Sequence, residues 1–439
     1  MAAYALPAVA TQFVYAPLST VLPGIYAKYY GLSAAAISGV LLATRFFDAV
    51  TDPLIGHLSD TTRGRFGRRK PWIAAGCLVT ALAMWQVADP RGSAHVALYF
   101  TLWSAVFYFG WTMMEIPHTA WGSELTNDYK RRNQVFFSRT LASVVGPLGF
   151  AAVPLVIGAA TTEITPQVMR ATAVAFAVAA PLCVAAALVF VADRQDGTAT
   201  RQKMKVGAAL RAIGYNGIFW RLFGVFVMGG LAAGIYGALQ FVYLDTYLGI
   251  GDMVPYALGA MMICSLLGLP LWLWLLNHVD KHRAWALSLG LAGVWVGLPA
   301  TLTPGESSFV PMLVMVIGLA LASGAGAIVP FALLGDLVDY DELKTGVNRA
   351  GAYYAVFLFG VKVNAAIGGS IAFGILAIAG YDAAADVHST AGILGLKTAF
   401  AVVPGILFAA AALSVVRFPL TRRRHEIVRR ALARRAARG

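Results

Sequence analysis

The sequence predicts an all-α, polytopic membrane protein: twelve transmembrane helices arranged as two pseudo-symmetric six-helix bundles. Three observations carry that prediction. First, 59% of the 439 residues are hydrophobic and only 13% are charged, where a soluble domain carries about 25% charged residues. Second, apolar stretches long enough to cross a bilayer, about 20 residues each, recur along nearly the whole chain. Third, the charge is sorted. Of the 34 Lys/Arg, 26 fall in alternate connections and the two polar ends of the second half, four fall in the other connections, and Arg45, Arg139, Arg221 and Lys362 fall inside apolar runs. That is the positive-inside pattern, which places both termini in the cytoplasm. It also accounts for the net charge of +13 without a nucleic-acid partner.

The expected spans run roughly over 4–26, 35–58, 71–88, 95–121, 134–158, 168–191, 217–246, 254–277, 284–302, 309–335, 350–378 and 392–416. The first begins at Met1-Ala-Ala-Tyr-Ala-Leu-Pro7 with no basic region or cleavage site, so it is expected to be a retained helix. Turns are short except one. The polar, basic stretch 193–213 reads as a cytoplasmic linker. It separates an N-terminal bundle over 1–192 from a C-terminal bundle over 214–418, and a basic cytoplasmic tail follows over 419–439. The tail's arginines suit anionic headgroups. Cys77, Cys183 and Cys264 stand singly in apolar runs and read as small core residues.

The halves echo each other. After the fourth span comes Ile116-Pro-His-Thr-Ala-Trp-Gly-Ser-Glu-Leu-Thr-Asn-Asp-Tyr129, and after the tenth comes Val329-Pro-Phe-Ala-Leu-Leu-Gly-Asp-Leu-Val-Asp-Tyr340. Both share the Pro-to-Gly spacing and the acidic ending. His57-Leu-Ser-Asp60 after the second span has a weaker counterpart, His278-Val-Asp280, after the eighth. Repetition at half-chain distance points to a duplicated bundle, with a solute site between the halves near mid-bilayer.

Chemistry is expected where charge is buried. Arg45, Asp48 and Asp52 recur at three- and four-residue spacing and share a helix face. Asp52 lies eight residues before Asp60, about 12 Å along a helix, which is near the middle of a hydrocarbon core about 30 Å thick. A charged residue there costs about 2.5–3.5 kcal/mol on insertion scales. Two nearby carboxylates repel unless one is protonated or a cation sits between them. With Thr51 between them, Asp48 and Asp52 form an oxygen-rich site suited to a hard cation such as Na⁺. Glu115 sits nine residues before Glu124, at a similar depth, and shares a face with Thr112. The deep carboxylates Asp48, Asp52 and Glu115 are matched by the deep cations Arg45, Arg139 and Lys362, the balance a dry, paired network needs.

These residues resemble the major facilitator superfamily, and more narrowly its melibiose permease-like glycoside–pentoside–hexuronide:cation symporter family. The most specific part is Asp48-Ala-Val-Thr-Asp-Pro53 with Thr62-Arg-Gly-Arg-Phe-Gly-Arg-Arg-Lys-Pro-Trp72. Thr112-Met-Met-Glu-Ile-Pro117, Arg132-Asn-Gln-Val-Phe-Phe-Ser-Arg-Thr140, Gly335-Asp-Leu-Val-Asp-Tyr-Asp-Glu-Leu-Lys344 and Val361-Lys-Val363 support it. The resemblance implies that Asp48, Thr51, Asp52 and Thr112 hold Na⁺, Li⁺ or H⁺. It also implies that Glu115 and Arg139 bind substrate and that Lys362 links the halves beside the sites. Gln12 aligns with a sugar-gripping acid of the family and Thr119 with a stacking tryptophan, so both positions depart from its pattern. Trp121 is two residues on, turned about 200° around the helix. Gln12, Tyr15, Gln240, Tyr243 and Asn364 are candidates to line a different polar cavity.

The expectation is therefore a Na⁺- or H⁺-coupled secondary symporter in a bacterial-type inner membrane, monomeric, without cofactor, importing a sugar or glycoside by alternating access. The alternatives are a cation-coupled carrier of a non-sugar amphiphile such as a lysophospholipid, as in a related eukaryotic branch, or a non-transporting membrane scaffold or sensor. No nucleotide loop, metal tetrad or nucleophile elbow is present, so no enzyme is expected. The basic turn 63–72 is expected to pair with Glu124, Asp128 and the helix ends. Asp336 to Glu342 is expected to pair likewise with Lys344 and Arg349.

Overall fold

The computed structural model describes residues 2–62, 66–90, 95–125, 129–158, 163–191, 213–347, 349–385 and 387–436. The side chains at 123–124, 129–133, 137, 350–351, 362–363, 365–366, 433 and 436 lie outside that description. Among the described residues the protein is helix and turn, with no strand. Helix is the required answer for a chain this apolar, because each backbone N–H and C=O in hydrocarbon must be satisfied within its own segment.

Each expected span is matched by a helix or a helix pair. The first is bent by 47° between Ala2–Thr20 and Leu22–Tyr30. Pro23, at the start of the second piece, has no N–H to continue the ladder. The second span, Ala34–Thr61, is capped by Ser33, whose hydroxyl accepts from the Ala36 N–H. The third to sixth spans are Lys70–Ala88, Val96–Glu124, Tyr129–Val156 and Pro166–Phe190. The second half repeats the series as Gly217–Tyr247, Val254–His278, Lys281–Gly297, Phe309–Thr345, Ala350–Ala379 and Thr390–Val416. Ten described helices are long and apolar enough to cross a membrane, eleven with the bent pair. The remaining one, Ala350–Ala379, is a continuous 30-residue helix whose apolar stretches flank undescribed side chains. The linker expected at 193–213 lies outside the described residues except Ile213.

Packing repeats with an offset of six spans. Spans one and five, one and six, two and four, and three and six pack together, and so do seven and eleven, seven and twelve, eight and ten, and nine and twelve. Across the halves, span two packs on eleven and span five on eight. That exchange is what a pseudo-twofold between duplicated bundles produces. The closest seam in each half is made by a glycine. A Cβ on Gly146 of span five would sit 2.6 Å from the Phe13 nitrogen and the Val9 oxygen of span one. A Cβ on Gly368 of span eleven would sit 2.8 Å from the Gly234 backbone of span seven.

At the ends of spans one and seven, away from the basic turn, Lys28 Nζ lies 2.8 Å from Asp245 and 2.9 Å from Glu163, and Tyr29 donates to Glu163 at 2.7 Å. Ser38 of span two donates to the Ser370 carbonyl of span eleven at 2.8 Å.

At the opposite end the basic turn meets the helix ends, as expected. Arg69 is buried and binds Ser59 at 2.9 Å and Asp60 of span two. Lys70 donates to the Leu188 and Val191 carbonyls at the end of span six, the orphan acceptors of that helix terminus. Arg349 does pair with Asp341, at 3.1 Å. Asp336, however, is held by Lys281 at 2.7 Å and faces His425. His425 belongs to a tail helix, Arg422–Ala436, and also contacts Asp339 at 2.9 Å. The Glu124 and Asp128 side chains expected to meet the basic turn lie outside the described residues.

Candidate functional site

The second and fourth spans bring the expected cation residues together. Thr112 donates to Asp52 Oδ1 at 3.0 Å, joining residues 60 apart in sequence. Arg45 lies 3.2 Å from Asp48 and donates to the Tyr108 hydroxyl at 2.9 Å, with its guanidinium carbon 4.4 Å from the Tyr108 ring centre. Tyr108 is a partner that sequence inspection missed, although its spacing of four from Thr112 marks it as a neighbour on the same face. Thr51 is buried, and its hydroxyl turns to the Asp48 carbonyl of its own helix at 3.5 Å. The site thus offers two carboxylates and the Thr112 hydroxyl from two helices, beside a fixed guanidinium. Among the described residues no group of three or more His, Cys, Asp or Glu side chains forms a metal cluster. A hydroxyl-and-carboxylate set of this kind suits Na⁺ or a proton rather than a transition metal.

The fourth and fifth spans supply the second part. Arg139 and Glu115 form an ion pair, each side chain 17% exposed. Thr11 of span one reaches the other Glu115 oxygen at 3.4 Å. Because an unpaired charge at this depth is costly, Glu115 and Arg139 fix the interior face of their helices. Gln12, Tyr15 and Thr119 are half-buried. Lys362 lies on the eleventh span, but its side chain falls outside the described residues.

Three candidates for a polar cavity lie elsewhere. Asn364 is buried, donates to the Phe226 carbonyl at 3.3 Å, and fills the space left by Gly230. Tyr243 is buried, stacks on Phe400 with centroids 4.1 Å apart, and bonds the Pro299 carbonyl at 2.5 Å. Gln240 is buried in the same region of span seven. Asn364 and Tyr243 pack against residues of the second half. His118 is likewise fully buried: its Nε2 lies 2.7 Å from the Tyr4 carbonyl, while the Tyr4 hydroxyl donates to the His118 carbonyl at 3.0 Å. Trp121 closes that cluster at 1% exposure, so it offers no ring face to a solute.

The chain has counterparts among known proteins. The inner membrane symporter YicJ of Escherichia coli is 24% identical over 94% of this chain and 90% of its own length. A glucuronide carrier protein homolog from the same organism is 26% identical over 95% and 92%. The sodium-dependent lysophosphatidylcholine symporter 1-A of Danio rerio is 24% identical over 89% and 79%. Among solved structures, a D-xylose-proton symporter superposes with a TM-score of 0.69 at 13% identity, covering 95% of this chain and 96% of that one. At that identity the likeness speaks for the fold. These proteins are membrane transporters rather than enzymes. A family model described as MFS/sugar transport protein matches residues 3–422, and the chain therefore belongs to this family of multi-pass membrane transporters.

Proposed function

We propose that the protein is a cation-coupled secondary symporter that imports a glycoside, with Na⁺ or H⁺ carried at Asp48, Asp52 and Thr112. The observation that carries this reading is the Thr112–Asp52 hydrogen bond. It ties the cation carboxylates on span two to the helix that bears Glu115 three residues further on. A cation arriving at the acidic pair relieves their repulsion and fixes span four. That orders Glu115 and Arg139, which in this reading hold the sugar hydroxyls, with Gln12, Tyr15 and Thr119 alongside. Cation and sugar then raise each other's affinity by the same factor. Asp48 and Asp52 are the ligands if the ion is Na⁺, with Thr51 placed to support the helix between them.

The two bundles, 1–192 and 214–418, are taken to move about this central site, with the basic turn and both termini in the cytoplasm of an inner membrane. Support comes from the charge asymmetry and the six-span packing offset. The test is thermal unfolding of the purified protein in NaCl against choline chloride, and at two pH values, for wild type and Asp52→Asn. A cation that binds only the folded state raises stability. Stabilisation by Na⁺ in the wild type and not in the variant supports a sodium site. A shift with pH alone moves the ion to H⁺. Unchanged ion-driven uptake by Asp52→Asn would sink the proposal. A second reading, a lysophospholipid substrate, is favoured by the name of the Danio rerio relative. Competition of labelled-sugar uptake by single-chain lipids separates the two.

A further inference from the structure

A groove of about 670 Å³ runs between spans nine and twelve, with Arg283 and Arg417 at its mouth. Arg283 stands in the first turn of span nine, and Arg417 caps the last turn of span twelve. Both are exposed at the end that carries the tail helix. From Arg283 the wall climbs span nine through Leu287, Leu291 and Val294. Residues three and four apart share a helix face. These three are exposed, so they face lipid, while Ala284, Ser288 and Ala292 between them are buried. The helices touch at a seam of two glycines, where a Cβ on Gly293 would sit 3.2 Å from the Gly405 oxygen. Gly290, about one turn nearer the mouth, opens the groove: a Cβ there would meet nothing within 4 Å. Other arginines at this end are held by acids, Arg69 by Asp60 and Arg349 by Asp341. Among the described residues no acceptor pairs with the guanidinium of Arg283 or Arg417.

We infer that this groove is a binding site for one anionic phospholipid, its phosphate held by Arg283 and Arg417 and an acyl chain laid along span nine. The length fits. Val294 lies eleven residues after Arg283, about 16 Å along a helix. One leaflet is about half of a hydrocarbon core about 30 Å thick. The charge fits as well. Two guanidinium groups at one mouth repel each other, and a phosphate between them relieves the repulsion with charge-assisted hydrogen bonds. A soluble anion has no use for an apolar wall one leaflet deep, and a neutral chain has no use for two arginines. Basic pockets between spans at the cytoplasmic side are where anionic headgroups bind. The lipid bridges the ends of two spans of the same bundle, so its binding stabilises the second half. The inference does not depend on which solute is carried.

The test is native mass spectrometry of the purified full chain in detergent, titrated with dioleoyl phosphatidylglycerol or dioleoyl phosphatidylcholine. Thermal unfolding is read on the same samples. The first phosphatidylglycerol is expected to bind about tenfold tighter than phosphatidylcholine, or more, and to raise the unfolding temperature. Arg283→Gln and Arg417→Gln should each weaken it about fivefold, and the double variant should erase the preference. Gly290→Leu, which fills the groove, should lose the tight lipid. Arg283→Lys with Arg417→Lys keeps the charge and should keep most of the preference. Arg429→Gln with Arg430→Gln, on the exposed tail helix, should bind as wild type does. Equal affinity for the two lipids would leave an ordinary annular lipid and overturn the inference. So would an undiminished preference in the double glutamine variant or in Gly290→Leu. Loss of the preference in the tail variant moves the lipid to the tail. Competition by glycerol 3-phosphate makes the arginines a site for a free phosphate. Loss of the preference in the lysine pair, with a lower unfolding temperature before lipid is added, makes the arginines packing residues. Each of these three results also overturns the inference.

Discussion

Lys28 and Asp245, 217 positions apart, approach to 2.8 Å where spans one and seven end. The Asp245 side chain is almost wholly buried, so removing the lysine strands a carboxylate. Glu163 adds a second acid to the same ammonium. The three residues join the two halves at the end away from the basic turn.

Lys28→Ala is expected to loosen this closure by about 1–3 kcal/mol, the cost of leaving a buried polar group without its partner. Spin labels at Ala35 and Tyr256, in a background with the three cysteines replaced, report the change. The distance distribution should broaden toward longer separations in Lys28→Ala. An unchanged distribution would show that apolar packing alone holds the two ends together.

The same cluster predicts a pH dependence. Burial opposes ionisation of Glu163, but hydrogen bonds from Tyr29 and Lys28 outweigh it and hold its pKa below the ordinary value of 4.5. A depressed carboxylate pKa stabilises the closed form above the unperturbed pKa, and that contribution is lost as pH falls through the lowered one. Glu163's share of the closure should therefore be lost only on strong acidification, read as a lengthening of the label distances. Glu163→Gln should remove that share of the response.

Thr112→Val removes the hydroxyl that binds Asp52 while keeping the side-chain volume. A hydrogen bond to a charged group contributes about 1.5–3 kcal/mol, so cation affinity should fall by about tenfold or more. Cation titrations followed by the unfolding temperature give the number. Retained affinity would place the ion elsewhere on span two.

Glu115 and Arg139 are expected to behave as a pair. Glu115→Gln or Arg139→Gln alone leaves one buried charge and should destabilise the fold by about 3–5 kcal/mol. The double variant should recover most of that stability and still fail to transport, because both groups that would hold hydroxyls are gone. Chemical unfolding and vesicle uptake on the three variants check both halves of the statement. Transport by the double variant would exclude the pair from substrate binding.

Much of this was legible in the chain because membranes make sequence literal. Apolar length gave the spans, and charge at depth pointed to Asp52, Glu115 and Arg139. What remained hidden was direction. Tyr243 and Asn364 look like cavity residues in a list, yet each turns into a helix seam. For Asn364 a signal existed in Gly230 and Gly234 on the facing helix. Asp336 was expected to meet Lys344 or Arg349, and no rule of spacing foretells that Lys281, 55 positions earlier, takes that place.

Gly146 and Gly368 carry a consequence for how such a carrier evolves. Where backbone lies against backbone, a seam has no side chain to trade, so it cannot be tuned by small substitutions. Variation is pushed to the surfaces those seams leave free, among them the rings and hydroxyls facing the interior. Two inert hubs with an editable lining would let one architecture change its cargo without relearning how to fold.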